Sequence, residues 1–287
     1  MDGAEPITLP GGFEQDGQWR RLVWLRPLTG RDEALLAEPP GPGGQAAAVT
    51  GLLSRTMSVT PDGQPAGLER VRGLTVGDRE AALLHLRRVT LDDRMSCVLT
   101  CPACHAKLDL DVQASDLVLP PYSHGTRQHR TTVVDGGETF DISFRLPTGA
   151  DQEDVASLAR RDPEAAATRV LERCIDAVTD RSGRPVAAWP DGVREHVPSV
   201  MAELDPQAEV DLDATCPACG DRFVAPFDAA QFLLRELALP DRDLYLDVHR
   251  LASHYHWAES EILGMTRRRR RRYLELLADA LSGARRS

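Results

Sequence analysis

Hydrophobic and polar residues change their spacing several times along this chain, and the changes predict an α+β fold made mainly of helices. Apolar and polar residues alternate over 107–112, which indicates a half-buried strand, and strands are also predicted over 95–100 and 209–215. Over 76–88 the apolar residues recur at helical spacing. Asp162 and Pro163 form an N-cap and first-turn pair that predicts a second helix in the later part of the chain.

The starts of two further elements can be predicted from turn and cap residues. Glycine-rich corners such as Asp135-Gly136-Gly137 predict short β-hairpins. Each hairpin ends in a Pro-Leu-Thr-Gly or Leu-Pro-Thr-Gly segment, where Thr29 and Thr148 are placed to cap a helix. Acidic residues follow in the first turn of each helix, where the helix dipole favours them.

The chain also repeats itself after a nearly constant number of residues. Six positions coincide at an offset of 119, and the segment that starts at Gly51 matches the one that starts at Arg169 at 118. The two Cys-Pro-Ala-Cys segments and the residues after them match at 115. A shrinking offset in constant order indicates a tandem duplication with small deletions. The six matches are Asp16/Asp135, Gly17/Gly136, Arg26/Arg145, Thr29/Thr148, Gly30/Gly149 and Asp32/Asp151.

This repeat predicts three parts. Residues 1–125 form a first half with one cysteine knuckle, residues 126–235 form a second half with the other, and residues 236–287 form a helical extension. The segment 120–130 is the expected linker between the halves, and the Gly/Pro-rich segment 39–44 is an expected loop. In the extension, Pro240 and Asp241 are expected to separate two helices, Ser260 to begin a short one and Thr266 to cap the last.

The cysteine pairs are the strongest chemical signal. Cys101 and Cys104 form one Cys-x-x-Cys pair, and Cys216 and Cys219 form the other. Four thiolates at this spacing are typical of a tetrahedral structural zinc site. We therefore expect one Zn²⁺ per chain, held by both pairs at the centre of the duplicated unit. Such a closed site has no open coordination position for catalysis.

Two alternatives for the cysteines are weaker. Each pair could recruit other ligands, such as Cys97 or His105, but Gly220 stands where His105 does in the first copy. Thiol–disulfide exchange favours a cysteine pair at a helix N-terminus, whereas strand-like residues follow the first pair. Cys97 and Cys174 are expected to be buried core residues.

Composition narrows the function classes. The chain has 287 residues, 42% of them hydrophobic, and a formal net charge of −10, which disfavours a general nucleic-acid binder. No apolar run is long enough to span a bilayer, and the first residues lack the pattern of a signal peptide. Cysteine pairs without an export signal indicate metal ligands in a reducing cytoplasm.

Two other motifs have simpler interpretations. The six consecutive arginines at 267–272 are expected to fan around the start of a helix and pair with acidic surfaces, although they could dock onto an acidic partner protein. His249, His254 and His256 suggest a second metal site only weakly, because only His249 and His256 share a helix face. No phosphate loop, nucleophile elbow or catalytic triad is present in the sequence, so an enzyme is the third and weakest hypothesis.

An ordered series of segments resembles a known family. It comprises LTVGDREAALLHLRR (74–88), CPACHAKLDLDV (101–112), FRLPTGADQE (144–153), LDPQAEVDLDATCPACGDRFVAPFD (204–228), VHRLASHYHWAESEIL (248–263) and RRRYLELL (270–277). Together they resemble the baseplate-hub assembly family of T-even-type contractile phage tails, which has relatives in phage-tail-like injection systems. His105 stands where that pattern leads us to expect Gly, and the arginine run is longer than the usual pair.

The resemblance implies a non-enzymatic assembly chaperone or structural component of a baseplate hub. Its partners would be other baseplate proteins, without a membrane, and it would be cytoplasmic or incorporated into the tail particle. It supplies no catalytic residues. The alternative is a zinc-ribbon nucleic-acid-binding or regulatory protein that uses the knuckles and the arginine run.

Overall fold

The first half begins with a three-stranded sheet. The computed structural model describes residues 3–36, 38, 41, 43–238 and 241–284. Strands β1 (Glu5–Gln15) and β2 (Gln18–Leu25) are antiparallel, and Asp16 and Gly17 join them with positive φ angles. Such a two-residue turn matches the right-handed twist of the strands. The short β3 (Met57–Ser58) pairs with β2, so the order is β1-β2-β3.

Four helices and a two-stranded ribbon complete the first half. They are α1 (Gly30–Leu36), α2 (Gly44–Thr56), α3 (Leu68–Arg72) and α4 (Val76–Thr90), followed by the antiparallel strands β4 (Arg94–Thr100) and β5 (Lys107–Gln113). Thr75 caps α4 because its hydroxyl accepts a hydrogen bond from the N–H of Asp78. Most side chains of α4 are buried, including those of Asp78 and Arg79. It is therefore a central helix, and the prediction of a helix over 76–88 is confirmed.

The second half follows a similar order. Its elements are β6 (His129–Asp135), β7 (Glu138–Phe144), α5 (Gly149–Ala159), α6 (Pro163–Cys174), β8 (Ile175–Asp180), α7 (Asp191–Leu204), β9 (Val210–Thr215) and β10 (Arg222–Phe227). The sheet order is β6-β7-β8, with the same antiparallel pairing as in the first half. Asp162 caps α6 through the N–H of Ala165, and Pro163 opens the helix, as predicted.

The rest of the described chain is helical. The helices are α8 (Ala229–Ala238), α9 (Asp241–Tyr255), α10 (Glu259–Leu263) and α11 (Arg267–Ala284). Thr266 directly precedes α11, and its hydroxyl lies near the N–H of Arg269. Pro240, the predicted break before α9, and most of the predicted loop at 39–44 lie outside the described residues.

The hydrophobic cores show that the two halves interlock. The largest core combines β1, β2, α2 and α4 with residues of α8, such as Leu233 and Leu237, which come from beyond the second cysteine pair. A second core joins β6–β8 with α6 and α7. The helices α9–α11 have a small core of their own around Val248, Leu251 and Ile262.

The predicted linker at 120–130 is tied into this structure. The N–H of Tyr122 donates to the carbonyl of Pro10, and its hydroxyl donates to Asp205. The other carboxylate oxygen of Asp205 accepts the N–H of Gly77 at the start of α4. Residues from both halves therefore meet at the first turn of α4.

Candidate metal centre

Each Cys-Pro-Ala-Cys segment forms the turn between two paired strands. The first lies between β4 and β5, and the second between β9 and β10. In the first turn the N–H of Cys101 donates to the carbonyl of Ala106 at 2.9 Å. The equivalent bond in the second turn, from Cys216 to Asp221, is 2.8 Å long. The two turns therefore have matching backbone contacts.

The position after each second cysteine explains why His105 and Gly220 correspond. His105 has a φ of 59° and Gly220 a φ of 78°, so both lie in the left-handed region. Their N–H groups donate to the carbonyls of Cys101 and Cys216, both at 2.9 Å. Glycine adopts this conformation most easily. His105 is exposed and adopts the same backbone conformation, at a steric cost that glycine does not have.

The two turns bring all four sulfur atoms together. The Sγ atoms of Cys101, Cys104, Cys216 and Cys219 lie within 4.8 Å of one another. The Sγ atom of Cys101 is 3.7 Å from that of Cys219, and the Sγ of Cys104 is 3.6 Å from that of Cys216. A tetrahedral ion with Zn–S bonds of about 2.3 Å would hold its sulfurs ~3.8 Å apart. The donor set and these distances fit such an ion, and the four cysteines are free thiols rather than disulfides.

The four cysteines, here called the cysteine quartet, are surrounded by a small cluster of apolar residues. Cys101 and Cys216 are buried, whereas Cys104 and Cys219 are exposed. The buried pair packs with Leu108 and Ala214 in a separate cluster. Hydrogen bonds from the N–H groups of Cys219 and Ala218 lower the pKa of the Cys216 thiol to about 7, whereas contacts among the sulfur atoms raise the pKa values of Cys104 and Cys219. Of these three, Cys216 therefore becomes a thiolate first, which is the form that binds metals.

The other candidate ligands are not part of the quartet. Cys97 is buried in β4, and Cys174 is fully buried at the end of α6, as predicted for core residues. Strands β5 and β10, not helices, follow the cysteine pairs. His249, His254 and His256 are exposed, and within the described chain they join no group of three metal-binding side chains.

Buried ion pairs fix the start of the helix after each hairpin. Arg26 and Arg145 make two-pronged contacts with Asp32 and Asp151, with shortest distances of 2.7 and 2.6 Å. In both places the preceding threonine donates its N–H and hydroxyl to the same aspartate. The helices start where predicted, but each threonine hydroxyl donates to the aspartate side chain, and the N–H of that aspartate donates to the threonine carbonyl.

These contacts shift the pKa of Asp151. Burial alone would raise that pKa, but hydrogen bonds from Arg145 and Arg173 outweigh it and hold the pKa well below its ordinary value. Asp151 is therefore a carboxylate at neutral pH.

Sequence reasoning missed two buried arginines, Arg79 in the first half and Arg270 in the C-terminal extension. Arg270, within the arginine run, donates two hydrogen bonds from Nη2 to Glu33, at 2.8 and 2.9 Å. Arg79 is also buried and donates to Thr50 and to the carbonyls of Ala46 and Val71. The missed signal was the glycine and threonine that precede both arginines at the same spacing.

The carboxyl groups of the buried Asp78 and the half-buried Glu80 make no ion pair with an arginine in the described part of the chain. Asp78 accepts the N–H groups of Gly11 and Gly12, both at 2.8 Å, yet burial raises its pKa to about 7 and the nearby Asp205 adds to the effect. Burial, with a contribution from Asp228, also raises the pKa of Glu80 to about 7. These groups are expected to gain protons just below neutral pH.

Comparison with protein families matches residues 18–234 to the family described as T4 bacteriophage base plate protein. The match begins at the first residue of β2, covers the second hairpin and both cysteine turns, and ends within α8. The chain belongs to this family. No curated protein and no solved structure matches the chain.

Membership in the T4 base plate protein family supports a structural role in a phage baseplate and contacts with other baseplate proteins. No helix in the described part of the chain is long and apolar enough to cross a membrane. Helices α9–α11 lie beyond the end of the family match, although the sequence of this region contributed to the resemblance described above.

Proposed function

We propose that this chain is a non-enzymatic assembly chaperone or structural component of the baseplate hub of a contractile tail or tail-like injection system. The match to the base plate protein family over 18–234 is the observation that carries this proposal. The organised polar groups described above support it, because they join parts of the chain to one another. The protein would act through contacts with other baseplate proteins.

In this proposal the four cysteines hold one structural Zn²⁺ per chain. Cys101, Cys104, Cys216 and Cys219 would all be ligands, as thiolates, and the ion would fix the first ribbon (β4 and β5) to the second ribbon (β9 and β10). The S–S distances and the all-thiolate donor set support zinc. Structural zinc sites of this kind contribute on the order of 10 kcal/mol in small peptides. The ion would hold together two strand pairs that have only a small apolar cluster of their own.

The proposal includes an internal duplication. The equal order of the two three-stranded sheets and the matching Arg–Asp contacts support it. The matching backbone bonds of the cysteine turns support it as well. A duplication would explain why one ion takes two ligands from each of two distant segments.

The function can be tested by deleting the gene from a host that makes the whole tail and examining the particles. We expect no complete tails without this chain, and mass spectrometry of wild-type particles then separates a resident component from a chaperone that leaves. Complete, contractile tails from the deletion strain would refute both roles.

A further inference from the structure

Helices α10 and α11 repeat the geometry of α3 and α4. At an offset of 191 residues, five chemically similar pairs coincide: Val71/Ile262, Gly73/Gly264, Leu74/Met265, Thr75/Thr266 and Arg79/Arg270. The N–H of Gly73 donates to the carbonyl of Glu69 at 3.0 Å, and that of Gly264 to Ser260 at 3.1 Å. The sharp corner between the two helices is therefore the same in both places.

Both corners dock on a helix start in the same way. The N–H of Gly149, at the start of α5, donates to the carbonyl of Leu74 at 3.1 Å. The N–H of Gly30, at the start of α1, donates to the carbonyl of Met265, also at 3.1 Å. Isolated β-bridges join Thr75 to Thr148 and Thr29 to Thr266. The corner before α11 therefore docks on the start of α1 as the corner before α4 docks on the start of α5.

The first turn of α4 is also covered by other parts of the chain. Asp78 is fully buried because the strand β1 lies over it and donates the N–H groups of Gly11 and Gly12 to its carboxyl group. Gly77 is covered by Asp205, which accepts its N–H. A chain segment with polar groups aimed at the helix thus completes this copy of the corner.

The matching surface on α11 is uncovered. Arg269 stands at the position of Asp78 and is exposed. Beside it lies a cleft of about 530 Å³, here called the Arg269 cleft. It is lined by Arg31, Trp257, Ser260, Glu261, Gly264, Met265, Arg269 and Tyr273.

The chemistry of the Arg269 cleft combines positive charge with aromatic walls. Arg31 and Arg269 outweigh Glu261, whose carboxylate already accepts the N–H of Ala258. Arg269 makes no ion pair within the described chain, unlike Arg267, Arg270 and Arg272 of the same helix. The Trp257 and Tyr273 rings meet edge to face, with centroids 4.8 Å apart, so they form a fixed apolar wall.

We propose that the Arg269 cleft binds an extended, acidic segment of another tail protein. The segment would lie on α11 where β1 lies on α4. Because an arginine replaces the aspartate, the segment would present carboxylates to Arg269 and Arg31 instead of N–H groups. Its apolar side chains would contact Trp257 and Tyr273. This inference deepens the proposed function and rests on it, since it names a surface through which the chain would contact the baseplate.

A protein segment fits the cleft better than a nucleic acid does. The formal net charge of −10 repels a polyphosphate backbone at long range. Glu261 adds a negative charge inside the cleft, and the aromatic wall suits apolar side chains. The proposal therefore predicts that duplex DNA binds more weakly than an acidic peptide, and the experiment compares the two ligands.

The test uses the full-length, metal-loaded protein and a short fluorescein-labelled peptide of alternating Glu and Leu residues. Fluorescence anisotropy should show saturable binding that Arg269→Glu weakens about tenfold or more, as expected for a lost charge-assisted contact. Arg31→Glu should weaken it as well. Arg272→Glu is the matched control, because Arg272 is exposed, lies outside the cleft and pairs with Glu275. Unchanged metal content and melting temperature would show that the variants fold.

Equal weakening by Arg269→Glu and Arg272→Glu would overturn the proposal, because it would indicate general charge attraction. Absence of peptide binding, or equally tight binding of duplex DNA, would overturn it too. These results are distinguishable from failure of the proposed function. If Arg269→Glu leaves tail assembly intact while deletion of the gene abolishes it, only the cleft proposal fails.

Discussion

The buried cysteines of the quartet offer the most direct test at the scale of single residues. We predict that Cys101→Ser abolishes zinc binding, because serine supplies no thiolate, and lowers the free energy of unfolding by several kcal/mol out of the ~10 kcal/mol typical of such sites. Elemental analysis and thermal unfolding measure both effects. Cys97→Ser is the matched control, since Cys97 is buried nearby but outside the quartet. Equal zinc content in the two variants would contradict this assignment.

Asp78 predicts a pH dependence with a definite sign. Its pKa is about 7 in the folded protein against an ordinary value of 3.8, so between these pH values the folded state holds a proton that the unfolded state has lost. Stability should therefore fall as pH rises through this window, by up to ~1.4 kcal/mol per pH unit.

The variant Asp78→Asn isolates this effect, since asparagine does not titrate. Chemical denaturation of zinc-loaded protein at several pH values should show a flatter profile for Asp78→Asn than for the wild type. Asp213→Asn, at an exposed position on the second ribbon, should keep the wild-type slope. Parallel profiles for all three proteins would show that Asp78 titrates as an ordinary carboxyl group.

The sequence identified the cysteine quartet but missed Asp78 and Arg270. Ligand spacing is a local pattern, so two Cys-x-x-Cys pairs can be found without a fold. The burial of Asp78 depends on Gly11 and Gly12, more than sixty residues away. Arg270 looked like one solvated charge among six, yet the fold buries it against Glu33, whereas Arg267, which also pairs with Glu33, stays partly exposed.

At the scale of elements, two glycines permit the helix contacts that recur in the fold. A Cβ atom added to Gly149 would lie 2.3 Å from Nη1 of Arg79, and one added to Gly30 would lie 2.9 Å from Nη1 of Arg270. The Arg79 guanidinium cannot easily move away, because it is buried and donates three hydrogen bonds. Close approach of helix start and guanidinium therefore requires glycine.

We predict that Gly149→Ala lowers the free energy of unfolding by about 1–3 kcal/mol, as overpacked sites do. Gly51→Ala is the control, because Gly51 lies inside α2 with open space around its added Cβ. That change should stabilise the protein by about 0.5–1 kcal/mol. Denaturant titration of both variants measures the difference, and a neutral or stabilising Gly149→Ala would mean that α4 and α5 are not tightly packed.

Helices and strands with strong periodicity could be predicted from the sequence, but the elements that they pack against could not. The helix over 76–88 and the strand over 95–100 appear as α4 and β4, within two residues at each end. Their partners come from long-range packing, which a single sequence encodes only weakly. Nothing in the local pattern of α8 indicates that Leu233 and Leu237 belong to the core of the first half.

At the scale of the whole molecule, the ribbons should depend on the metal more than the sheets do. Two-stranded ribbons are marginally stable alone, and the apolar cluster between them is small. We predict that chelation removes hydrogen-exchange protection from β4, β5, β9 and β10 first, while β1, β2 and α4 stay protected by the largest core. Simultaneous loss of protection everywhere would instead mean that the metal controls global folding.

The three-part division of the sequence is only a partial description of the molecule. The repeat at offsets of 119 to 115 predicted two similar halves, and the two sheets do have the same strand order. The repeat did not indicate that α8 crosses into the first core or that α10 and α11 reproduce the corner of α3 and α4. Both features depend on contacts between segments that share few residues, so the sequence repeat does not predict them.

The central claim is that this chain serves baseplate assembly as a metal-stabilised scaffold. The most direct test complements a deletion strain with wild-type protein, Cys101→Ser or Cys97→Ser and counts complete tails by electron microscopy. We predict that wild type and Cys97→Ser restore tails, whereas Cys101→Ser leaves the baseplate defect of the deletion. Complete tails without the chain would contradict its role in assembly, and full rescue by Cys101→Ser would contradict the role of the metal.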